Sequence, residues 1–338
     1  MLTSEEILEK ARRRSGKVQV ADPDYRFRMQ KLNRAKVDSF AATINSTFEK
    51  YVSSFPSFSN LDPFYLALMD LMVSVDDIKR ILGRIDGARK QIDRIKLKSV
   101  RQIDRTSKAE YMSKKRKEAF GRISSMVKDL DEDLRTLADA RERFKQIPSI
   151  PTKHPTAVVA GYPSVGKSQL VKNISTADPK IASYPFTTQE LTVGYFEHHR
   201  QRYQIIDTPG LLDRPFKERN PVEKQAVLAL TLLSKICIYL VDPTGHCGYP
   251  LEPQVDLLLS ISKASPEMEF IILQNKSDLE LPQGVDLEIL RAAISELGDR
   301  CLMETTISAL EGTGMDRLKK AVVDTILADE EKPWENFQ

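Results

Sequence analysis

Cysteine is scarce in this chain of 338 residues: Cys237, Cys247 and Cys301 are the full set, each in or beside an apolar run and without metal-like spacing. That excludes a disulfide-stapled scaffold and a cysteine zinc site, and predicts reduced thiols in a cytoplasmic protein. Long hydrophobic runs are missing too. The longest, residues 226–241, is interrupted by Ser234-Lys235 and is too short to span a bilayer. It reads as a helix leading into a buried strand. The start, Met1-Leu2-Thr3-Ser4-Glu5-Glu6, has no basic stretch followed by an apolar one, so a secretory signal is not expected. The four histidines, His154, His198, His199 and His246, show no ligand spacing. With 41% hydrophobic and 29% charged residues, the composition is that of an ordinary soluble protein and not of a disordered one.

Glycine is the most unevenly distributed residue. Only Gly16, Gly83, Gly87 and Gly121 of the 14 fall in the first 150 residues. There the apolar residues recur at helical spacing: Ile85, Ala88, Ile92 and Ile95, then Phe120, Ile123, Val127, Leu130, Leu134 and Leu137. This periodicity predicts helices near 26–50, 63–74, 75–107 and 110–146, and long amphipathic helices in series predict an antiparallel bundle. Pro148, Pro151 and Pro155 mark a linker, because the residue before proline disfavours helix.

Charge divides at the same place. Residues 1–150 hold 32 Lys/Arg against 22 Asp/Glu, net +10, and the remainder holds 19 against 26, net −7. Within 79–128 there are 17 basic and 5 acidic side chains. Such a stretch predicts a polyanionic partner, although charged residues that simply solvate a helix give a similar pattern. The tract Lys114-Lys115-Arg116-Lys117 is its densest part and the candidate RNA contact. It also resembles a nuclear localisation tract, but the solvated start of a helix is the preferred reading. The stretch has few rings, Tyr111 and Phe120. RNA contact is therefore expected through phosphates more than through stacked bases.

From about residue 156 the pattern becomes strand, loop and helix in alternation. Strands are expected at 156–160, 190–197, 202–207, 236–241, 269–274 and 301–305, and helices at 167–174, 221–233, 253–263, 286–297 and 314–327. A hairpin turns near residues 198–201. The alternation predicts a doubly wound, mostly parallel α/β sheet preceded by the all-α bundle. The division is 1–150 for the basic bundle, 151–328 for the α/β domain and 329–338 for a loosely held tail.

Three motifs sit at strand ends in this half. Gly161-Tyr162-Pro163-Ser164-Val165-Gly166-Lys167-Ser168 follows the apolar run Ala157-Val158-Val159-Ala160 and opens a helix. A strand feeding such a turn aims backbone N–H groups and a helix N-terminus at one anion. Gly161 and Gly166 allow close approach, Lys167 brings a cation to the β- and γ-phosphates, and Ser168 offers a hydroxyl to Mg²⁺. Asp207-Thr208-Pro209-Gly210 follows Ile205-Ile206. Asp207 can reach the Mg²⁺ shell through water, and the Gly210 N–H can sense a γ-phosphate. Asn275-Lys276-Ser277-Asp278 follows Phe270-Ile271-Ile272-Leu273. The Asp278 carboxylate can accept the ring N–H and exocyclic amine of guanine, which adenine cannot supply, so the base is read as guanine. Ser308-Ala309 is placed to offer a backbone N–H to the guanine oxygen. The three motifs in this order describe a GTP-binding domain with Mg²⁺ as its metal.

Their order and wording resemble the Obg superfamily of GTPases, and Tyr184-Pro185-Phe186-Thr187-Thr188 is similar to the first switch of that superfamily. The resemblance implies Thr188 as a second hydroxyl on Mg²⁺, with Thr187 as the alternative. The helical first half resembles the nucleolar GTP-binding (Nog) group. That likeness rests on Asp62-Pro63-Phe64-Tyr65 leading to Leu68-Met69-Asp70-Leu71-Met72, on Ala88-Arg89 with Ile92-Asp93, and on Glu218-Arg219-Asn220-Pro221-Val222-Glu223 before Gln225-Ala226. It implies a compact, archaeal-type member without the C-terminal extension of eukaryotic relatives. It further implies GTP hydrolysis, with Lys167, Thr188 and Gly210 as catalytic groups, in large ribosomal subunit assembly. The partners it implies are the precursor particle with its rRNA and ribosomal proteins. A monomer without stable membrane association is expected.

Two positions qualify that picture. Ser164 stands where many relatives have Asn, and in some potassium-stimulated GTPases that Asn helps hold the ion. The shorter serine argues against K⁺ activation. Leu211 follows Gly210 where Ras-like proteins place a water-orienting Gln, so isolated hydrolysis is expected to be slow. The alternative reading is a signalling G protein whose bundle binds an acidic protein or an anionic membrane surface.

Overall fold

The computed structural model describes residues 1–184, 190–210, 212–213 and 220–330. Two compact units emerge: residues 1–61 with 72–145, and 62–71 with 146 onward.

The first unit is helical. Its elements are α1 (Ser4–Gly16), α2 (Tyr25–Ser53), α4 (Val75–Asp104), α5 (Ala109–Asp129) and α6 (Asp131–Phe144). The interior is the apolar stripe visible in the sequence. In α4 it runs Val75, Ile78, Ile81, Ile85, Ala88, Ile92, Ile95 and Ile103, all buried at steps that keep one face inward. Phe40 of α2 stacks on Phe120 of α5 with ring centroids 4.1 Å apart, a geometry that adds to the area both rings bury. Starts are set by side-chain caps: Asp24 accepts from the N–H groups of Arg26 and Phe27, and Ser74 accepts from Asp77.

Two local features depart from the expected pattern. The helix α1 was not expected, yet Thr3 and Glu6 form a reciprocal capping box at its start. The single helix expected over 110–146 is two. Leu130 leaves helical geometry (φ −96°, ψ 7°), and Asp131, Glu132 and Asp133 open α6, where carboxylates suit the positive end of a helix.

The second unit contains β1 (Thr156–Ala160), α7 (Lys167–Ile174), β2 (Lys180–Ser183), β3 (Glu190–His198), β4 (Gln201–Asp207), α8 (Pro221–Thr231), β5 (Ile236–Val241), α9 (Leu251–Ala264), β6 (Glu269–Gln274), α10 (Glu288–Leu297), β7 (Cys301–Thr306) and α11 (Met315–Glu330). Its seven described strands run in the order β2-β3-β4-β1-β5-β6-β7. The pairs β1–β4, β1–β5, β5–β6 and β6–β7 are parallel, while β2–β3 and β3–β4 are antiparallel. This is the doubly wound, mostly parallel sheet expected, with the short edge strand β2 as an addition. The β3–β4 hairpin turns through His199 and Arg200 at φ 46° and 67°, the left-handed pair that matches strand twist. Every residue of β1 and β5 is buried, as a sheet covered on both faces requires.

The compact units differ from the expected division at one place, the segment 62–71. Its helix α3 (Pro63–Met72) was counted with the bundle. Instead Phe64 and Leu68 are fully buried in the core that includes Val158, Leu191, Ile206 and Tyr239. Tyr65 Oη donates to the Ile150 carbonyl at 2.6 Å and accepts from its N–H at 2.8 Å. The cause is composition: Pro63–Met72 is apolar nearly all round, and such a helix must be covered on more than one side.

Candidate nucleotide site

Parallel strands β4, β1, β5 and β6 end on one edge of the sheet, and the loops that follow them hold the candidate residues. The loop after β1 bends through φ 139° at Gly161, 61° at Ser164 and 107° at Gly166. A Cβ on Gly161 would lie 2.5 Å from the Leu240 carbonyl oxygen, and one on Gly166 would lie 2.3 Å from Asn275 Nδ2. Only glycine fits either place, for space as well as for φ. Pro163, Ser164, Gly166, Lys167, Ser168 and Gly210 line a cavity of about 390 Å³ together with Gln169, Pro209 and Asp213. Tyr162 rests against the ring of Tyr249, and Val165 is fully buried under the loop.

The charged groups of this cavity are held by protein partners. Lys167 is buried, and its Nζ donates to the carbonyls of Gly161 and Tyr162, both at 2.8 Å. Burial lowers its pKa, opposed by the charges of Asp207 and Asp213. Ser168 Oγ donates to Asp207 Oδ2 at 2.6 Å. Asp207 is fully buried and its Oδ1 has no hydrogen-bond partner. Burial raises its carboxyl pKa, with Ser168 and Lys167 working against that rise.

A buried carboxylate oxygen without a donor, beside a hydroxyl and a phosphate-shaped loop, fits a hard divalent cation such as Mg²⁺. Among the described residues no group of three or more His, Cys, Asp or Glu could hold a metal. An ion held by Ser168 and Asp207 would take water and phosphate oxygens among its other ligands, the usual manner for Mg²⁺. Thr188, its alternative Thr187, and Leu211 lie outside the described residues.

Base-side residues converge from the loops after β6 and β7. Asn275 Nδ2 donates to the Val165 carbonyl at 2.7 Å, and its Oδ1 accepts from Ala309 N–H at 2.8 Å. Asn275 thus ties the phosphate loop to the loop after β7. Ser308 Oγ donates to Asp278 Oδ1 at 2.5 Å, which orients the exposed carboxylate expected to read the base. The N–H groups of Ser308 and Ala309 are both engaged, the first with the Thr313 carbonyl at 3.3 Å. A guanine oxygen would have to share one of them.

Three residues were not singled out in the sequence. Asp213 Oδ2 accepts the Gly210 N–H at 2.8 Å, the donor expected to sense a γ-phosphate. Asp242 is fully buried and pairs with Lys276 Nζ at 2.7 Å. Burial raises its carboxyl, but donors from Lys276, Thr244 and the Cys247 N–H outweigh that and hold it lower than usual. Asn173 Nδ2 donates to the Ala309 carbonyl. Asp242 had a signal: it comes directly after β5, which ends at Val241, much as Asp207 closes β4. The other two are defined by contacts across the fold and had none.

Residues 2–151 match the NOG1 N-terminal helical domain, and residues 156–276 match the 50S ribosome-binding GTPase family. An uncharacterized protein of Methanocaldococcus jannaschii is 34% identical over 283 residues, 82% of this chain and 79% of that protein. The chain belongs to the nucleolar GTP-binding (Nog) family. Nucleolar GTP-binding protein 1 of Drosophila melanogaster is 31% identical over 294 residues, 87% of this chain but 45% of the fly protein. This Nog-family chain therefore spans about half the length of its eukaryotic relatives. A Plasmodium falciparum structure assigned to nucleolar GTP-binding protein 1 is 30% identical, covering 55% of this chain and 93% of that one with a TM-score of 0.49. Among the described residues no helix is long and apolar enough to cross a membrane.

Proposed function

We propose that this protein is a Mg²⁺-dependent GTPase of low intrinsic rate that acts as a switch in assembly of the large ribosomal subunit, with its basic helical unit docking on rRNA. The observation that carries the reading is the presence, in one chain, of the NOG1 helical domain and the guanine-nucleotide residues described above. A cytoplasmic monomer whose partners are the precursor particle, its rRNA and its ribosomal proteins follows from the same reading.

Bound nucleotide would meet the loop N–H groups from Ser164 to Ser168, and Lys167 would exchange two carbonyls for phosphate oxygens. Ser168 and Asp207, with Thr188 as a further hydroxyl, would hold Mg²⁺, which supplies charge neutralisation at the phosphates. Gly210 would exchange Asp213 for the γ-phosphate, so that its peptide differs between GTP and GDP states. Asp278 would select guanine. K⁺ stimulation is expected to be weak because Ser164 offers a short ligand. Its φ of 61° is one that Asn tolerates well, so Ser164→Asn tests the point without strain.

Co-sedimentation with large-subunit particles, in GTP and in GDP and across a KCl series, tests the proposal. Nucleotide-dependent, salt-sensitive association supports it. Indifference to particles together with retention by acidic proteins or anionic vesicles would favour a signalling role.

A further inference from the structure

We propose that the bundle end built from the N-terminus of α2, the C-terminus of α4 and the N-terminus of α5 is a stacking site for unpaired RNA bases. The inference rests on the reading that the helical unit docks on rRNA, and it names the element and the RNA form. Two stretches far apart in sequence meet there, the start of α2 and the turn from α4 (ending at Asp104) into α5 (starting at Ala109). Gln30 Nε2 donates to the Asp104 carbonyl at 3.0 Å, and Arg34 lies 3.6 Å from the Asp104 carboxylate. The Phe40–Phe120 stack sets α2 and α5 side by side. Tyr111 is in the first turn of α5, which starts at Ala109 just after α4 ends at Asp104, so Tyr111 lies at the same end as the start of α2, whose Gln30 and Arg34 reach Asp104.

That end exposes three aromatic rings. Tyr25 is 61% exposed, Phe27 51% and Tyr111 41%. Two already carry cations over their faces: Arg28 sits 5.6 Å from the Tyr25 centroid and Lys115 5.2 Å from that of Tyr111. Tyr25 and Phe27 lie outside the basic stretch 79–128, which is why the sequence showed too few rings for stacking. Topology brings them to it.

Charge at this end is also left over. Toward the other end of α4 the cations are matched: Lys79 with Asp76, Arg80 with Asp77, Arg84 with Asp133, and Arg89 with Glu49 and Asp86. Arg26, Lys98, Arg101, Arg105 and Lys108 are exposed, and no ion pair involves any of them among the described residues. The carboxylates nearby are engaged: Asp22 with Lys31, Asp24 in capping α2, and Asp104 with Arg34. Glu110 is the local exception, exposed in the first turn of α5. Unmatched cations suit phosphates. Exposed rings interleaved with them suit bases that are free to stack, a combination a duplex with its bases turned inward cannot use.

The test uses the full chain and two probes, a short fluorescein-labelled oligouridylate and an RNA duplex, read by anisotropy in rising KCl. Replacing Tyr25→Ala and Phe27→Ala together should weaken oligouridylate binding about tenfold or more, leave the duplex nearly unaffected and leave the log–log salt slope unchanged. Replacing Arg101→Gln, Arg105→Gln and Lys108→Gln should weaken both probes and lower the single-strand slope by about 2, given about 0.7 per phosphate contact. All five side chains are exposed, so thermal unfolding and GTP binding should match wild type. Equal oligouridylate binding by the aromatic variant, with loss in the charge variant, overturns the stacking site while leaving rRNA docking in place. Failure of the wild type to bind either RNA, with capture of an acidic peptide instead, overturns the docking reading itself.

Discussion

The two units of this protein use glycine in opposite ways, and the contrast shows where each keeps its function. In the nucleotide-binding unit Gly161 and Gly166 are sterically locked, with no room for one more carbon. In the bundle Gly83, Gly87 and Gly121 have nothing within 4 Å of the Cβ they lack. A nucleotide is recognised largely by backbone N–H groups, so the main chain itself is the constrained element. A polyanion is met by side chains on a helical surface, and the main chain beneath need only be helix. The first kind of site tolerates almost no change at a few positions. The second spreads its binding over many replaceable positions.

The largest expected effects lie at the locked loop. Gly166→Ala should abolish measurable GTP binding, since its Cβ would overlap Asn275 and adopt a disfavoured φ. Ser168→Ala should remove Mg²⁺-dependent turnover. Both should leave RNA binding by the bundle intact. Equilibrium binding of a fluorescent guanine nucleotide and of labelled RNA to the same samples checks both sides, and retained GTP binding in Gly166→Ala would break the contrast.

Next in size is base choice. Asp278→Asn should weaken GTP by about 2–3 kcal/mol, the range for hydrogen bonds to a charged acceptor, and improve xanthosine triphosphate. Calorimetric titration with both nucleotides reads this, and unchanged GTP affinity would contradict the guanine assignment.

Smaller effects belong to the surface. Lys114, Lys115, Arg116 and Lys117 follow one another on α5 and so point to different sides of it. Lys115 already pairs with Glu118 at 2.7 Å. Replacing Lys114 and Lys117 by Glu should weaken RNA binding and flatten its salt dependence more than replacing Lys115 alone. An equal loss from Lys115→Glu would mean that the tract acts as one unit after all. Smallest of all, Gly83→Ala or Gly87→Ala should stabilise the bundle by about 0.5–1 kcal/mol each through helix propensity, read as a rise in urea midpoint. Destabilisation would show that these glycines serve a close approach by a partner helix.

Much of this contrast was legible in the sequence. The phosphate loop, Asp207, Asn275 and Asp278 each follow an apolar strand, so local pattern placed them. The helix expected from 221 does begin at Pro221, where Asn220 and Glu223 form a capping box. What escaped was decided by distant contacts. The helix α1 has a narrow apolar stripe of Ile7, Leu8 and Ala11, and its capping box is two residues in an otherwise polar start. Pro63–Met72 reads as a helix, but not as a part of the second unit's core. Asp213 and Asn173 matter only because of backbone atoms they reach, and Tyr25 and Phe27 because of the basic helices folded beside them.

The central claim is that guanine nucleotide in the second unit controls docking of the first on ribosomal particles. The most direct measurement is co-sedimentation of Asp278→Asn protein with large-subunit particles in GTP and in xanthosine triphosphate, beside wild type. The account predicts that particle association follows GTP in the wild type and xanthosine triphosphate in the variant. Association that ignores the nucleotide in both proteins, or that still follows GTP in the variant, would contradict it.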